Sequence, residues 1–475
     1  MTGILALDQG TTSTKALLWH DGVLIPVGQR SHRQIHPRAG WVEHDPLELL
    51  RHIGELEEIS SAIGGGPCGA AGLANQGETV VAWDTGTGRP LHNAIVWQDQ
   101  RTADAVAKLH AEGVETLTLE RAGLPLDPYF SAAKLRWLLD HAEGARHLLA
   151  CGRLRLGTSD AFFLDNLAGV CATDVTTASR TSLMNLGTLQ WDPDLCAAFG
   201  VPMQCLPEIR ATADAFGSLP GGTPILVNAV DQQAALFGHG CVQPGDLKIT
   251  FGTGAFALGL AETRPEGGRA DGLLPTCAWQ LRGQPARYAL DGGILTAGAA
   301  VEWLGGIGLL EDYAALDGFT GPSALERGLA FVPALAGLGC PHWDRKARGA
   351  WLGLSLTTGA GDMRRAVLEG IAFRAAELAR AMQTRGGGLR RIAIDGGLSR
   401  SGFFCRFLAS AIGSPVEVAA SPDVTAIGII HLALAASGST VRPGSGTSRQ
   451  IDPNVLPDGL HERYAEAVAL VRGWG

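Results

Sequence analysis

Two stretches of this chain share the same order of apolar and polar positions. The first has an apolar run at residues 4–7, an acid and a Gln-Gly-Thr-Thr turn, and a second β-like run at 15–19. The second stretch, residues 247–261, has an apolar run, a Gly-Thr-Gly turn and another apolar run. Each pattern predicts a β-hairpin with a tight polar turn. Their recurrence predicts two similar domains, residues 1–239 and 240–475.

Strand and helix patterns alternate along the rest of the chain, which is typical of an α/β protein. Asp45 followed by Pro46 predicts the start of a helix that runs to about residue 62. The apolar run 225–230 predicts a strand that ends at Asp231, where a helical pattern begins. Further helices are predicted at 102–112, 129–141, 296–306, 362–385 and 424–437.

Composition narrows the class of protein. The 475 residues, with 46% hydrophobic and 18% charged, are enough for two well-buried domains. The net charge of −9 and the absence of a Lys/Arg run argue against nucleic acid or an anionic membrane as a main partner.

Cysteine usage and the chain start predict a cytoplasmic location. The nine cysteines include no C-x-x-C pair, which predicts buried free thiols in a reducing compartment. The start has no basic segment typical of a signal peptide. The most apolar helical pattern, residues 425–437, contains His431 and is too short to span a bilayer.

The turn of the first hairpin has the residue types of a phosphate site. Thr11, Thr12 and Ser13 place hydroxyls beside backbone N–H groups, which can surround phosphate oxygens. Asp8 could bind Mg²⁺ directly or through water, and Lys15 could neutralise phosphate charge. An ordinary N-terminal hairpin with a polar turn is the alternative, because short phosphate motifs also match by chance.

Nine short segments resemble motifs of the FGGY carbohydrate kinases, and the resemblance runs from residue 5 to about residue 431. They are ALDQGTTST, GWVEHDP, AIVWQ, DPYFSAAK, ASRTSL, DQQAALFG, FGTGAFAL, GLGCPHWDRKARGAWLGL and IAIDGG. The segment YFSAAKLRWLLDH fits a family signature at every defined position. The resemblance implies two actin/hexokinase-like (ribonuclease-H-fold) domains with a catalytic cleft between them. It also implies transfer of the γ-phosphoryl group of ATP, with Mg²⁺, to a hydroxyl of a small polyol or sugar, and a homodimer or homotetramer.

The resemblance assigns the catalytic base to Asp231, because DQQAALFG matches the base segment of the family. A helix N-terminus would favour its ionised form, and a loose phosphoryl-transfer transition state does not need a strong base. From spacing alone, an N-cap aspartate is the alternative. The resemblance assigns the metal to Asp8 and Asp231.

The nucleotide residues also follow from the resemblance. Thr12, Ser13 and Lys15 would contact the β- and γ-phosphates, with Gly252 and Thr253 opposite them. The adenine pocket would use four positions of the second domain: Gly298, Glu302, Gly397 and Ser401. Glutamine and asparagine are expected where this chain has Glu302 and Ser401, so base selectivity could differ. A plain helix-entry turn is the alternative for Gly397.

An acceptor pocket is the third site that the resemblance implies. Its matching positions are Glu78, Trp97, Tyr129, Asp231, Gln232 and Phe256. Core packing is the alternative for Trp97 and Phe256. Glycerol is the first expected acceptor.

One position departs from the glycerol-phosphorylating members of the family. They have Asn-Gln-Arg-Glu, whereas this chain has Gly77 in place of the arginine. Either a neighbour such as Gln100 or Arg101 replaces the lost donor, or the acceptor is a longer polyol or ketose, such as erythritol, a pentitol, xylulose or ribulose.

Two other classes of protein are less consistent with the sequence. FGTGAFA also fits the nicotinamide-binding pattern G-x-G-x-x-A, but a strand pattern follows it where that motif needs a helix. A non-catalytic sugar sensor would be expected to have lost Asp8 or Asp231, and both are present. The P-loop sequence G-x-x-x-x-G-K-[ST] does not occur, which excludes a P-loop kinase.

Overall fold

The computed structural model describes residues 3–267, 272–439 and 448–474. Strands and helices alternate through these ranges. The strands before residue 240 are β1 Ile4–Gln9, β2 Ser13–His20, β3 Val23–Ser31, β4 Glu43–His44, β5 Ala70–Asn75, β6 Val80–Asp84, β7 Ala94–Ile95, β8 Leu154–Thr158, β9 Ala172–Asp174, β10 Met184–Asn185, β11 Gln190–Trp191, β12 Glu208–Arg210 and β13 Ile225–Val230. The helices of this half are α1 Pro46–Gly64, α2 Ala103–Ala111, α3 Glu115–Arg121, α4 Ser131–His141, α5 Ala145–Ala150, α6 Ser159–Ala168, α7 Val175–Ala178, α8 Pro193–Phe199 and α9 Asp231–Gly238.

The second half continues the alternation. Its strands are β14 Asp246–Phe251, β15 Ala255–Leu260, β16 Leu274–Trp279, β17 Arg287–Ile294, β18 Ala330–Val332, β19 Ala350–Leu352, β20 Arg391–Gly396, β21 Val416–Val418 and β22 Arg449–Ile451. Its helices are α10 Gly298–Gly306, α11 Ala360–Gly386, α12 Gly402–Ile412, α13 Val424–Ala436 and α14 Leu460–Arg472. Asp45 caps α1 by accepting a hydrogen bond from the Leu47 N–H, as predicted.

Each half contains a large sheet, and the two sheets share one topology. The first has the order β13-β5-β1-β2-β3, and the second contains the order β21-β20-β14-β15-β17. In both, three antiparallel strands of a meander continue into two parallel strands. The two predicted hairpins, β1–β2 and β14–β15, therefore occupy the same place in the two sheets.

Helices α9 and α13 pack against each other where the two halves meet. The backbones approach closely at two glycines, Gly238 of α9 and Gly428 of α13. A Cβ atom on Gly428 would lie 1.8 Å from the Ala234 carbonyl oxygen, and one on Gly238 would lie 2.1 Å from the Val424 oxygen. Only glycine allows this separation, which joins α9, at the end of β13 of the first sheet, to a helix of the second half.

Two further features bear on the sequence predictions. Most cysteines are buried, but Cys151 is exposed and Cys171 is half-buried, so the prediction of buried thiols is wrong at these two positions. Cys151 lies in the turn that follows α5, where no core is available to cover it. None of the helices in the described ranges has the length and apolar character needed to span a bilayer.

We expect Gly428→Ala to destabilise the protein by about 1–3 kcal/mol or more, because the added methyl group must push two backbones apart. The matched control is Gly54→Ala in α1, where an added Cβ meets nothing within 4 Å. That change should be neutral or stabilise by about 0.5–1 kcal/mol, since alanine is the better helix former. Urea unfolding of both variants measures the difference, and equal stabilities would contradict the close-packing argument.

Candidate active site

A polar cavity of about 140 Å³ lies between the two large sheets, and residues from both halves line it. Strand ends supply much of its wall. Glu78 follows β5, Asp231 follows β13, and Phe256 and Asp291 lie on β15 and β17. The full lining is Thr11, Gln76, Glu78, Trp97, Tyr129, Arg180, Val230, Asp231, Gln232, Gln233, Phe256, Leu258 and Asp291.

Three aromatic rings form one side of this cavity. The Trp97 ring stands edge-on to Tyr129, with centroids 5.7 Å apart, and to Phe256 at 6.3 Å. The indole N–H of Trp97 donates to Thr11 Oγ1 at 3.0 Å, which links the wall to the turn of the first hairpin. All three rings are partly exposed. They are therefore a cavity wall, and the core-packing interpretation of Trp97 and Phe256 does not fit their position.

Asp231 stands at the junction of β13 and α9, as the apolar run and helical pattern predicted. Burial raises its pKa to about 6; Lys248 opposes the shift and Glu78 adds to it. Lys248 is fully buried on β14 and donates a short hydrogen bond to Gln232 Oε1. A cation of the second half thus orients a side chain next to Asp231.

Asp8 ends the first strand's apolar run and pairs in register with Lys15 on β2. Burial, and next the charge of Asp231, raises its pKa to about 7, while Lys15 opposes the shift. Lys15 contacts Asp423 at 3.3 Å and stays partly exposed. Two carboxylates that repel each other in a partly buried site are suited to a divalent cation.

The donor set fits Mg²⁺ better than a transition metal. Within the described ranges, no three His, Cys, Asp or Glu side chains cluster to form a metal site. Mg²⁺ in phosphoryl-transfer sites uses one or two carboxylates, with water and substrate phosphates completing the shell. Asp8 and Asp231 supply that number.

The two hairpin turns present polar groups beside this site. Thr12 is exposed, whereas the Ser13 hydroxyl accepts a hydrogen bond from Gln29 at 2.9 Å. In the second hairpin Gly252 and Thr253 are exposed. The Gly252 carbonyl accepts from the Gly298 N–H at 2.9 Å, and a Cβ on Gly298 would lie 2.5 Å from that oxygen. Only glycine fits at the start of α10.

A larger cavity of about 580 Å³ adjoins the second hairpin. The six predicted nucleotide residues of the second half all line it: Gly252, Thr253, Gly298, Glu302, Gly397 and Ser401. Tyr313 and Arg400 also line it and had not been predicted. Tyr313 begins a short 3₁₀ helix, Tyr313–Leu316, in a stretch for which the sequence analysis predicted no element, so only the fold brings it here.

Ser401 is the N-cap of α12. Its hydroxyl accepts from the Phe404 N–H at 3.0 Å and lies 3.1 Å from Asp317 Oδ1. A serine in place of the expected asparagine is therefore used within the protein, which leaves Glu302 as the more accessible of the two departures.

The polar turn after β5 is strained. Gly77 has φ +61° and Glu78 has φ +40°, a region that non-glycine residues rarely adopt. The Gly77 N–H donates to Asn75 Oδ1 at 3.0 Å, which holds the turn. Backbone strain of this kind clusters at functional sites, and here it directs the Glu78 carboxylate into the cavity.

Gly77 itself is not among the described residues that line the cavity. A Cβ there would lie 3.2 Å from Val230 Cγ1, so a side chain would be both strained and crowded. The suggested replacements are also elsewhere. Arg101 is fully buried against Asp99 at 2.8 Å and Glu43 at 2.7 Å, and Gln100 lines a neighbouring cavity.

Arg180 and Asp291 are the residues of this site that sequence reasoning missed. Arg180 Nε donates to Glu78 Oε1 at 2.7 Å, and its Nη2 lies 2.8 Å from Asp291 Oδ2. Burial raises the pKa of Glu78, and Arg180 opposes the shift. Arg180 lies in the motif segment ASRTSL, and Asp291 is an acid within an otherwise apolar strand pattern, which were the two available signals.

Comparison with known proteins agrees with this geometry. The model of the N-terminal domain of the FGGY family of carbohydrate kinases matches residues 3–238, and the model of the C-terminal domain matches residues 247–437. The chain belongs to the FGGY family of carbohydrate kinases. The predicted family, the two-domain α/β fold class and the ATP- and Mg²⁺-dependent kinase activity are thereby confirmed.

Relatives of known name extend over the whole chain. A glycerol kinase of Citrifermentans bemidjiense is 40% identical and one of Alkalilimnicola ehrlichii is 42% identical, each covering 100% of this chain and 99% of the relative. The crystal structure of Plasmodium falciparum glycerol kinase with ADP has a TM-score of 0.89 and 31% identity, covering 99% of this chain and 98% of the other.

We expect Gly77→Ala to cost about 1–2 kcal/mol of unfolding free energy for the left-handed backbone, plus a further loss from the contact with Val230. Gly65→Ala is the matched control, because Gly65 has φ +70° but an added Cβ would meet nothing within 4 Å. Thermal and urea unfolding should place Gly77→Ala below Gly65→Ala. Equal losses would show that crowding by Val230 has no effect.

Proposed function

We propose that this kinase is a glycerol kinase, which transfers the γ-phosphoryl group of ATP to a terminal hydroxyl of glycerol and forms glycerol 3-phosphate. The small polar cavity that Asp231 helps to line is the observation that supports it best, since its volume suits a small polyol. The full-length relatives named glycerol kinase support the same acceptor. They do not favour the alternative of a longer polyol or ketose.

In this proposal each wall of the cavity has one task. The carboxylate of Glu78 accepts hydrogen bonds from acceptor hydroxyls, as does the amide of Gln232. The rings of Trp97 and Phe256 cover the carbon chain. Asp231 also lines the cavity, and its carboxylate would hold the hydroxyl that reacts.

Transfer then needs one proton to move and one bond to be exchanged. The acceptor hydroxyl gives its proton to the Asp231 carboxylate as its oxygen bonds to the γ-phosphorus. The bond from that phosphorus to the β–γ bridging oxygen breaks, and ADP leaves. A pKa near 6 keeps Asp231 mostly ionised at neutral pH and able to take the proton.

The phosphates lie between the two hairpin turns in this proposal. Thr12 and the turn at Gly252 and Thr253 offer hydroxyl and backbone donors from opposite sides. Lys15 supplies positive charge near Asp8. Asp8 and Asp231 would hold Mg²⁺, which neutralises charge on the phosphate oxygens when it is bound. The base and ribose of ATP would occupy the 580 Å³ cavity, next to Gly298, Glu302, Gly397 and Ser401.

Domain roles, assembly and location stay predictions. Residues 1–239 would supply the acceptor site and the base, and residues 240–475 the nucleotide site. A homodimer or homotetramer is expected from the family resemblance, and a cytoplasmic location from the cysteine usage.

We expect ADP release with Mg-ATP to be fastest for glycerol in a panel with dihydroxyacetone, erythritol, the pentitols, xylulose and ribulose. Asp231→Asn should lower kcat by about 10²–10⁴-fold, because the proton loses its acceptor. Asp21→Asn is the control, since Asp21 is an exposed aspartate with φ +50° that asparagine tolerates. A longer polyol or ketose that reacts faster than glycerol would contradict the glycerol assignment. An Asp231→Asn variant that keeps its activity would show that Asp231 is not the base.

We expect kcat/KM for glycerol to fall tenfold per pH unit below about pH 6 and to be level above it. Asp231 has a raised pKa and must be ionised to accept a proton, so the activity is lost as the pH falls through that value. Lys248→Met should move this limb to higher pH, because Lys248 is the cation that lowers the pKa of Asp231. A pH–rate profile of both proteins tests this, and an unshifted limb would assign the titration to another group.

A further inference from the structure

Arg180 occupies an unusual position in the acceptor cavity. Its side chain is only 4% exposed and bridges the two halves, with Glu78 at 2.7 Å on one side and Asp291 at 2.8 Å on the other. These contacts use Nε and Nη2. Nη1 is also buried, and it has no hydrogen-bond partner among the described residues. A guanidinium has five N–H donors, so Arg180, which lines the cavity, has unused donor capacity.

Charge explains why the guanidinium stays fixed. Burial by itself would lower the pKa of Arg180, but Asp291 and Glu78 hold it above its ordinary value. The rings of Tyr129 and Phe130 lie against it, with centroids 5.7 and 5.5 Å from the guanidinium carbon. The side chain is thus a permanently charged, pre-oriented donor within the cavity wall.

A buried N–H without a partner lowers stability unless a ligand satisfies it. The other two positions considered for a cationic donor near the acceptor are unsuitable. Position 77 is a glycine, and Arg101 is held by Asp99 and Glu43 away from the cavity. Arg180 therefore has the cationic donor capacity that this cavity otherwise lacks.

We propose that Arg180 determines acceptor specificity by donating from Nη1 to the oxygen of a hydroxyl that is not phosphorylated. This inference rests on the proposed function. The hydrogen bond from Arg180 selects polyols that have a second hydroxyl at the right distance from the reacting one. Acceptors without that second hydroxyl are disfavoured. Glu78 and Asp291 act as positioning residues that hold the guanidinium.

The test compares glycerol with two analogues that each lack one hydroxyl, 1,2-propanediol and 1,3-propanediol, in wild type and Arg180→Lys. Lysine keeps the charge but loses the fork that reaches several partners at once. We expect kcat/KM for glycerol to fall about 10- to 100-fold in Arg180→Lys. The diol that lacks the bound hydroxyl should change less than threefold, and KM for Mg-ATP should stay the same.

Arg101→Lys is the matched control. It also removes a buried arginine with two carboxylate partners, but it does not line the acceptor cavity. Its ratio of glycerol to diol activity should equal that of wild type. Equal losses for all three acceptors in Arg180→Lys would overturn the proposal, because they would indicate a structural role alone.

Two outcomes need a second experiment. If circular dichroism shows that Arg180→Lys is unfolded, the double variant Arg180→Gln/Asp291→Asn keeps the local charge balance and an amide donor, and the same ratios decide. If wild type does not phosphorylate glycerol, the proposed function fails. The comparison is then made with the best acceptor of the panel and its deoxy analogues. If Arg180→Lys still discriminated between that acceptor and its deoxy analogues as wild type does, the proposed role of Arg180 would be overturned.

Discussion

The buried ion pairs of Arg180 are the interaction on which the rest of this cleft depends. One guanidinium bonds to Glu78, from the strained turn after β5, and to Asp291, from the middle of β17. Two carboxylates this deeply placed would repel each other and lose solvation without a cation between them. The arginine offsets that penalty and joins the two halves of the molecule across the cavity of about 140 Å³. Because the guanidinium is excluded from water, each remaining hydrogen-bond donor or acceptor in the cavity wall is a strong determinant of binding.

A second constraint is the close approach of α9 and α13. Gly238 and Gly428 let the two helices contact through their backbones. Asp231 is the first residue of α9, so this contact helps to fix the position of its carboxylate. Asp8 lies on β1, the strand that pairs with β5 in the same sheet. The shared topology of the two sheets then places one polar hairpin turn on each side of the cleft.

The pKa values of the site follow from the same geometry. Burial raises the pKa of both Asp8 and Asp231; the charge of Asp231 adds to the shift at Asp8, and the charge of Glu78 adds to the shift at Asp231. Lys248 limits the effect at Asp231 and Lys15 limits it at Asp8. The site is thus prepared for a positively charged partner, and the opposing charge of Lys248 helps to keep the pKa of Asp231 at about 6, so that this carboxyl is mostly ionised at neutral pH.

The sequence by itself determined the local elements and most of the residues that meet in the two cavities. Continuous apolar runs and polar turns depend on neighbouring residues alone, so β1–β2, β14–β15 and the strand before Asp231 could be predicted. The family motifs added Glu78, Trp97, Tyr129 and Gln232, which do line one cavity. Only the tertiary structure decided that Arg180 and Asp291 join them, and that Gly77, Gln100 and Arg101 do not. Arg180 and Asp291 are 111 positions apart in the sequence. Pairing over that distance is set by how the two sheets pack, which no local pattern records.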